Sequence, residues 1–142
     1  MTATTAAHPR TASVPRTAIL LAAAIAVASA ANAVVALAAV AAGATMPFGP
    51  LQPGAYITFT VVGVLAGYAG WSVVRRLVPQ PARLLRVLVP VVLVLSWIPD
   101  VIVAIAGFIP NTSATGAVGV ALMHAVVVAV AVPVYQRIAP VG

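Results

Sequence analysis

The chain has 142 residues, of which 63% are hydrophobic and 6% are charged, and this leaves too little polar surface to coat a soluble globular domain. Its seven basic residues, all arginine, outnumber a single acidic residue, but they form no basic stripe with interleaved aromatic residues, which argues against nucleic-acid binding. The absence of cysteine excludes disulfides, thiolate catalysis and cysteine-ligated metals.

The N-terminal region consists of a polar tail and a first predicted membrane span. Residues 1–16 are rich in Thr, Ala and Pro and show no apolar periodicity, which is typical of a disordered tail. Residues 17–42 form an apolar run that is interrupted mainly by Ser29 and Asn32. A cleaved signal peptide is the alternative interpretation, but the apolar region of a signal peptide is only about 7 to 15 residues long. We therefore predict a permanent span.

The second predicted span, 55–74, follows a proline-rich connection. The connection 43–54 contains three prolines, which cannot continue a helix, and we predict an extended loop that rests at the membrane surface. Within the second span, Gly63, Gly67 and Gly70 are spaced four and three residues apart and therefore share one helix face. Because small residues let membrane helices approach closely, these glycines are predicted to pack against another helix.

Two further spans are predicted at 84–109 and 114–135. Alanines recur every four residues along the fourth span, and Ala117 and Ala121 belong to this alanine face. The spacing favours close packing of this face against a neighbouring helix, as for the glycines of the second span.

These four segments define the predicted fold. A span needs roughly 20 residues, so four of them leave no room for a soluble catalytic domain in a chain of this length. The sequence therefore predicts an all-α, antiparallel up-down-up-down four-helix transmembrane bundle over residues 17–137, with short loops and a C-terminal tail at 138–142.

The arginines predict the orientation of this bundle. They occur only in the two termini and in the connection between the second and third spans, whereas the other two connections carry no charge. The positive-inside rule then places both termini in the cytoplasm. We expect the arginines to contact anionic headgroups of the lipid bilayer. They are Arg10, Arg16, Arg75, Arg76, Arg83, Arg86 and Arg137.

One acidic residue and one histidine are the candidates for a functional site. Asp100 is the only acidic residue of the chain and lies inside the third predicted span, where a charged side chain costs roughly 2.5 to 3.5 kcal/mol at the helix centre. His124, in the fourth span, is the only histidine outside the N-terminal tail. Both residues are twelve positions from Thr112, in the turn between these spans. An antiparallel hairpin therefore brings them to one depth, and we predict a buried hydrogen bond or ion pair.

Four other residues are predicted to contribute to this site. Ser96 shares the helix face of Asp100, while Asn32 and Thr60 are predicted to reach the same polar centre from the first and second spans. Pro99 removes a backbone donor inside the third span and is predicted to kink it.

Three hypotheses about function are compatible with these residues. The polar residues either serve only as structural ties in a non-enzymatic membrane protein, or Asp100, His124 and Asn32 belong to a small transporter or proton-linked permeation subunit. The third hypothesis is a partner-binding or lipid-sensing subunit, with the loop 43–54 as its contact surface and changes at Phe48 or Leu51 expected to break the contact. Association with a second copy or with another membrane protein is compatible with each of them.

The sequence indicates neither an enzyme nor a cofactor. One carboxylate and one imidazole fall short of the three protein ligands that are typical of catalytic zinc. There is no nucleophile elbow, phosphate-binding loop or pair of carboxylates, so we predict no catalytic, metal or cofactor-binding residues.

Short motifs in the spans resemble those of a known family. They are Asn32 in an Ala/Val-rich first span, Gly70-Trp71 at the end of the second, Ser96-Trp97-Ile98-Pro99-Asp100 in the third and Ala121-Leu122-Met123-His124 in the fourth. Over about residues 17–137 the chain resembles domain-of-unknown-function family 6069, which consists of small four-span membrane proteins from actinobacteria. The resemblance implies a plasma-membrane protein and brings no known activity with it.

Overall fold

The computed structural model describes residues 12–141. The predicted disordered segment with Arg10, up to residue 11, and the final Gly142 lie outside this range. Within it the chain is helical and contains no β-strand. The elements are α1 (Val14–Ala41), a short 3-10 helix (Gly49–Leu51), α2 (Pro53–Leu77), α3 (Pro81–Ser96), α4 (Ile98–Ala106) and α5 (Ala114–Ile138).

Four helical segments are long and apolar enough to cross a membrane, and they are α1, α2, the α3–α4 pair and α5. The prediction of an all-α bundle with four spans is therefore confirmed. Three helices begin earlier than predicted, because Pro15, Pro53 and Pro81 stand in their first turns. A proline there has no backbone N–H to leave unpaired, so it starts a helix rather than breaking it.

The two ends of the bundle are defined by contacts between distant parts of the chain. At one end the Ala12 N–H donates to the carbonyl of Ile138 at 3.0 Å, which joins the start of α1 to the end of α5. At the other end Asn111 Nδ2 donates to the Pro47 carbonyl at 2.8 Å. The six arginines of the described range therefore lie at the first end, which we call the arginine end, and the opposite end is the loop end.

The predicted C-terminal tail is packed against the arginine end in its described part. Ile138 and Ala139 are buried. The indole Nε1 of Trp71 donates to the Ala139 carbonyl at 2.9 Å, and Arg75 Nε donates to the Pro140 carbonyl at 3.1 Å. These two bonds from α2 hold the chain directly after α5.

The most extensive helix contact is between α1 and α5. The buried stripe of α1 consists largely of alanines, including Ala28, Ala36 and Ala39. On α5 a β-carbon added to Gly119 would lie 2.9 Å from the β-carbon of Ala39. The two helices thus approach until their backbones are nearly in contact, which is the packing that small residues permit between membrane helices. Gly119 is absent from the predicted packing residues.

The predicted glycine face of α2 is only partly an interface. A β-carbon at Gly67 would lie 2.6 Å from the hydroxyl oxygen of Tyr135, and one at Gly63 would lie 3.6 Å from Val127, both on α5. At Gly70, in contrast, an added β-carbon would meet no atom within 4 Å. Gly70 therefore lies outside the helix interfaces of this chain. Its neighbour Trp71 occupies the buried side, and successive residues point about 100° apart around a helix.

The loop between α1 and α2 is folded onto the bundle. Phe48 and Leu51 are only 1% and 2% exposed, whereas Met46 is exposed. A β-carbon at Gly116, in the first turn of α5, would lie 3.0 Å from the Phe48 ring, so this ring rests on the start of α5. Phe48 and Leu51 are therefore not available to a partner as expected, because burial of these apolar side chains anchors the loop. That the loop 43–54 is a contact surface stays a prediction.

The third span is the most peripheral part of the bundle. Between residues 81 and 106 only Leu85 is fully buried. The α4 helix packs on α5 and has no extensive contact with α1 or α2.

Candidate polar site

The structure brings Asp100 and His124 together between α4 and α5. His124 Nδ1 lies 3.3 Å from Asp100 Oδ2, so the depth predicted from the position of the turn is correct. The side chains are 16% exposed for Asp100 and 37% exposed for His124. The pair is thus half-buried rather than buried as predicted. The reason is the peripheral position of α4, which covers the pair from one side only.

A break between α3 and α4 positions Asp100. The helix is interrupted at Trp97, whose N–H bonds to the Val94 carbonyl at 3.2 Å, and Asp100 follows in the first turn of α4. Pro99 is the second residue of α4, so the interruption lies two residues before the predicted kink. The Trp97 indole Nε1 donates to the Ala121 carbonyl at 3.0 Å. This bond sets the register of α4 on α5 one turn before the Asp100–His124 contact.

Two acceptors converge on one nitrogen of His124. Besides the Asp100 carboxylate, the Val120 carbonyl lies 3.0 Å from His124 Nδ1. Since both neighbours are acceptors, we assign the ring hydrogen to Nδ1, which leaves Nε2 as the nitrogen that gains or loses a proton. The contact with Asp100 lacks the geometry of a hydrogen bond, and Asp100 Oδ2, although shielded, has no hydrogen-bond partner among residues 12–141.

A small cavity adjoins Asp100 on the side of the loop end. Its volume is about 20 Å³, which is enough for about one water molecule because a water needs roughly 10 to 15 Å³ measured in this way. Asp100 is the only ionisable residue that lines this cavity. The buried loop residue Phe48 is another lining residue. The lining residues are Phe48, Pro50, Asp100, Val103, Ala117 and Val120.

His124 lies on the face of α5 that also carries Tyr135. His124 and Tyr135 are eleven residues apart, which is three helical turns, so they share one face of α5. Tyr135 uses that face to contact α2, where its hydroxyl donates to the Val64 carbonyl at 2.6 Å. His124 points in the same direction nearer the loop end, where α4 does not close onto α2.

Asn32 and Thr60 form a separate pair between α1 and α2. Asn32 Nδ2 donates to Thr60 Oγ1 at 3.0 Å, and both residues are only 1% exposed. No hydrogen bond joins them to Asp100 or His124 in the part of the chain that the structure describes. The prediction of one common polar centre is therefore wrong, because Asn32 and Thr60 bond to each other. Asn32 Oδ1 is buried and has no hydrogen-bond partner among the described residues.

Three other predicted residues contribute differently from what was expected. The Ser96 hydroxyl donates to the Leu93 carbonyl of its own helix at 2.6 Å, as serine often does in apolar helices, and so does not bond to Asp100. Ala117 lines the cavity, and Ala121 provides the acceptor for Trp97. The contact that Trp97 makes was not identified from the sequence. A signal was present, because an indole N–H in an apolar segment needs a hydrogen-bond acceptor on a neighbouring helix.

The site offers no ligand set for a metal ion. Over residues 12–141 no group of three or more histidine, cysteine, aspartate or glutamate side chains is close enough to hold one. The ionisable groups that meet here are one carboxyl and one imidazole, which together can bind and release protons.

Comparison with known proteins identifies the family. A family model described as a family of unknown function, DUF6069, matches residues 10–140, which include every residue of the polar site. Neither a curated protein nor a solved structure is significantly similar to the chain. The match confirms the resemblance seen in the short motifs, and the chain belongs to the DUF6069 family.

Proposed function

We propose that the protein is a non-enzymatic integral membrane protein whose Asp100–His124 pair binds and releases protons, as part of a small proton-linked permeation system. The observation that carries this proposal is the incomplete satisfaction of the pair. Asp100 Oδ2 has no hydrogen-bond partner in the described range, and it lies next to a cavity beneath the loop. Buried polar atoms are normally paired, and an exception often marks a bound water or a functional group.

The two polar pairs of the bundle differ in the way that this proposal requires. Asn32 and Thr60 are both only 1% exposed and are joined by a direct hydrogen bond between α1 and α2, which is the arrangement of a structural tie. Asn32 Oδ1, like Asp100 Oδ2, has no hydrogen-bond partner in the described range, so the two pairs differ in their exposure and in their direct hydrogen bond. Asp100 and His124 touch without a hydrogen bond, Asp100 lines the cavity, and the side chain of His124 is 37% exposed. A charged group inside a membrane normally faces a water-accessible space, which supports a protonation site here.

The size of the cavity favours a proton over a larger substrate. A space of about 20 Å³ holds about one water molecule and excludes an organic solute. That water would donate to Asp100 Oδ2 and so complete its hydrogen bonding. On the other side of the pair, His124 Nε2 exchanges its proton at the exposed part of the imidazole. Protons would then pass between a carboxyl and an imidazole 3.3 Å apart.

The second candidate function for the pair is a structural tie between α4 and α5. It is favoured by the contact with the Val120 carbonyl, since this acceptor holds the imidazole ring in place whether or not a proton is exchanged. A tie keeps one protonation state, whereas a proton site must change its state reversibly.

Titration of the two side chains distinguishes these functions. Asp100 is the only aspartate or glutamate, so labelling aspartate with ¹³C gives a single side-chain carboxyl signal, and a His8→Ala background leaves His124 as the only imidazole. We expect both NMR signals to titrate reversibly. We also expect each titration midpoint to move when the other residue is replaced, in His124→Gln and in Asp100→Asn.

Thr60→Val provides the matched control, because it removes a hydroxyl from the other polar pair and should leave both titrations unchanged. In reconstituted vesicles that contain a pH-sensitive dye, proton flux should fall to the background level in Asp100→Asn. Signals that stay constant over the whole accessible pH range would favour the structural tie. Titration without any proton flux would limit the proposal to proton binding.

We further propose that the arginine end faces the cytoplasm of a plasma-membrane protein. The proposal is supported by the six described arginines at that end and by the absence of charge in both connections at the loop end. In this cysteine-free chain, Gly49→Cys at the loop end should react with an impermeant thiol reagent added to intact cells, and Gln80→Cys at the arginine end should not. The glycine position tolerates the change because an added β-carbon meets no atom within 4 Å. The reverse labelling pattern would contradict the orientation.

A further inference from the structure

We propose that residues 45–50 of the loop between α1 and α2, which we call the strap, form a gate between the Asp100 cavity and the water at the loop end. This inference rests on the proposed function, because it concerns how water and protons reach Asp100. Two residues of the strap, Phe48 and Pro50, line the cavity together with Asp100. A displacement of the strap therefore opens the cavity toward the loop end.

The strap is fastened at both ends and held lightly between them. Directly before it, Ala44 is buried and its N–H donates to the Ala39 carbonyl at 2.9 Å. Directly after it, Leu51 is buried. Between these two points Phe48 is the only fully buried residue. A segment with few buried apolar contacts opens locally at a small cost in free energy, and the fixed ends keep the helices in place when it does.

The turn between α4 and α5 provides the hydrogen bonds that close the strap. Asn111 Nδ2 donates to the Pro47 carbonyl at 2.8 Å, and the Ser113 hydroxyl oxygen accepts from the Thr45 N–H at 3.5 Å. Within residues 12–141 no other hydrogen bond joins the strap to a residue outside the loop 43–54. Both bonds are exposed, so water competes for their donors and acceptors. The shorter of the two makes Asn111 the latch of the gate.

A gate at this position suits a proton site in a membrane. When the strap is closed, the cavity of about 20 Å³ holds about one water molecule, and Phe48 shields that water from the loop end. When the latch is released, water enters and Asp100 exchanges its proton with the aqueous phase. A site that communicates with one side of the membrane at a time needs such a barrier, since a permanently open path would let protons leak.

Thiol labelling tests the gate without reference to protons. The chain has no cysteine, so Asp100→Cys places a single thiol at the cavity. In detergent, a charged thiol reagent should label this cysteine slowly. Addition of Asn111→Gly should raise the labelling rate about fivefold, which corresponds to about 1 kcal/mol, the typical contribution of one hydrogen bond. Glycine is the suitable replacement because Asn111 has a φ of 61°, which glycine adopts without strain.

Thr112→Val is the matched control for the latch. The Thr112 hydroxyl donates to the Ile109 carbonyl at 2.6 Å within the same turn and forms no hydrogen bond with the strap, so its loss should leave the labelling rate unchanged. A second control places the thiol at Val64→Cys, a fully buried position of α2 that does not line the cavity. Labelling there should not respond to Asn111→Gly.

Three results would overturn the gate. They are a rate at Asp100→Cys that Asn111→Gly does not change, an equal increase with Thr112→Val, and an equal increase at Val64→Cys, which would indicate unfolding of the whole bundle. The gate and the proposed function can fail separately. Labelling reports access of the reagent, whereas NMR signals of Asp100 and His124 that stay constant with pH would refute proton binding even if Asn111→Gly opens the cavity.

Discussion

Gly119→Ala is expected to lower the melting temperature of the protein in detergent, although alanine is the better helix former by about 1 kcal/mol. The added methyl group would lie 2.9 Å from the β-carbon of Ala39, and neither carbon can rotate away because each is attached directly to a helix backbone. α1 and α5 would have to separate along the largest interface of the bundle. Overpacking of this kind costs about 1 to 3 kcal/mol, and unfolding followed by tryptophan fluorescence would measure it.

Gly70→Ala is the matched control for this prediction. It makes the same chemical change in the interior of another membrane-spanning helix, but the new β-carbon meets no atom within 4 Å. We expect a melting temperature equal to or slightly above that of the wild type. If both variants melted together below the wild type, the close approach of α1 and α5 at Gly119 would be refuted.

Phe48→Ala is expected to destabilise the protein and to open the polar site. Phe48 is only 1% exposed, rests on the start of α5 and lines the cavity beside Asp100. Truncation of a buried phenylalanine to alanine typically costs about 3 to 5 kcal/mol, although part of this side chain lies near the membrane surface. The larger cavity should admit more water, so the ¹³C signal of Asp100 should show faster proton exchange than in the wild type.

Met46→Ala, in the same loop, is the control for this effect. Met46 is exposed, so its truncation removes little packing and should leave both the stability and the Asp100 signal unchanged. A Phe48→Ala variant that is as stable as Met46→Ala would mean that the loop is not anchored by its aromatic residue. Phe48 would then again be available as a surface for a partner protein.

The two polar pairs show which side-chain contacts could be predicted from the sequence and which could not. The contact between Asp100 and His124 was predictable because both residues belong to one hairpin, in which equal distances from a turn give equal depths. Asn32 and Thr60, in contrast, belong to α1 and α2, and the sequence does not show which faces of these two helices meet. Their mutual hydrogen bond depends on the way α1 packs against α2, and no spacing within one helix specifies that contact.

The same distinction applies to the small residues. The spacing of Gly63, Gly67 and Gly70 placed them near one side of α2. Only the position of Tyr135 on α5 decides that an added β-carbon would be crowded at Gly67 and unhindered at Gly70. Gly119 belongs to no regular glycine motif of the kind seen in α2. Its importance comes from Ala39 on another helix, and a sequence pattern within α5 does not contain that information.

The sequence by itself determined the four spans, the common end of the arginines and the shared depth of Asp100 and His124. These features follow from hydrophobicity, charge and helical rise, which act along the chain and need no knowledge of neighbouring helices. The tertiary structure decided that the pair is half-exposed, that Asn32 and Thr60 form a pair of their own and that Phe48 is buried. These features depend on which helix faces meet, because residues distant in sequence determine what each side chain contacts and whether water can reach it.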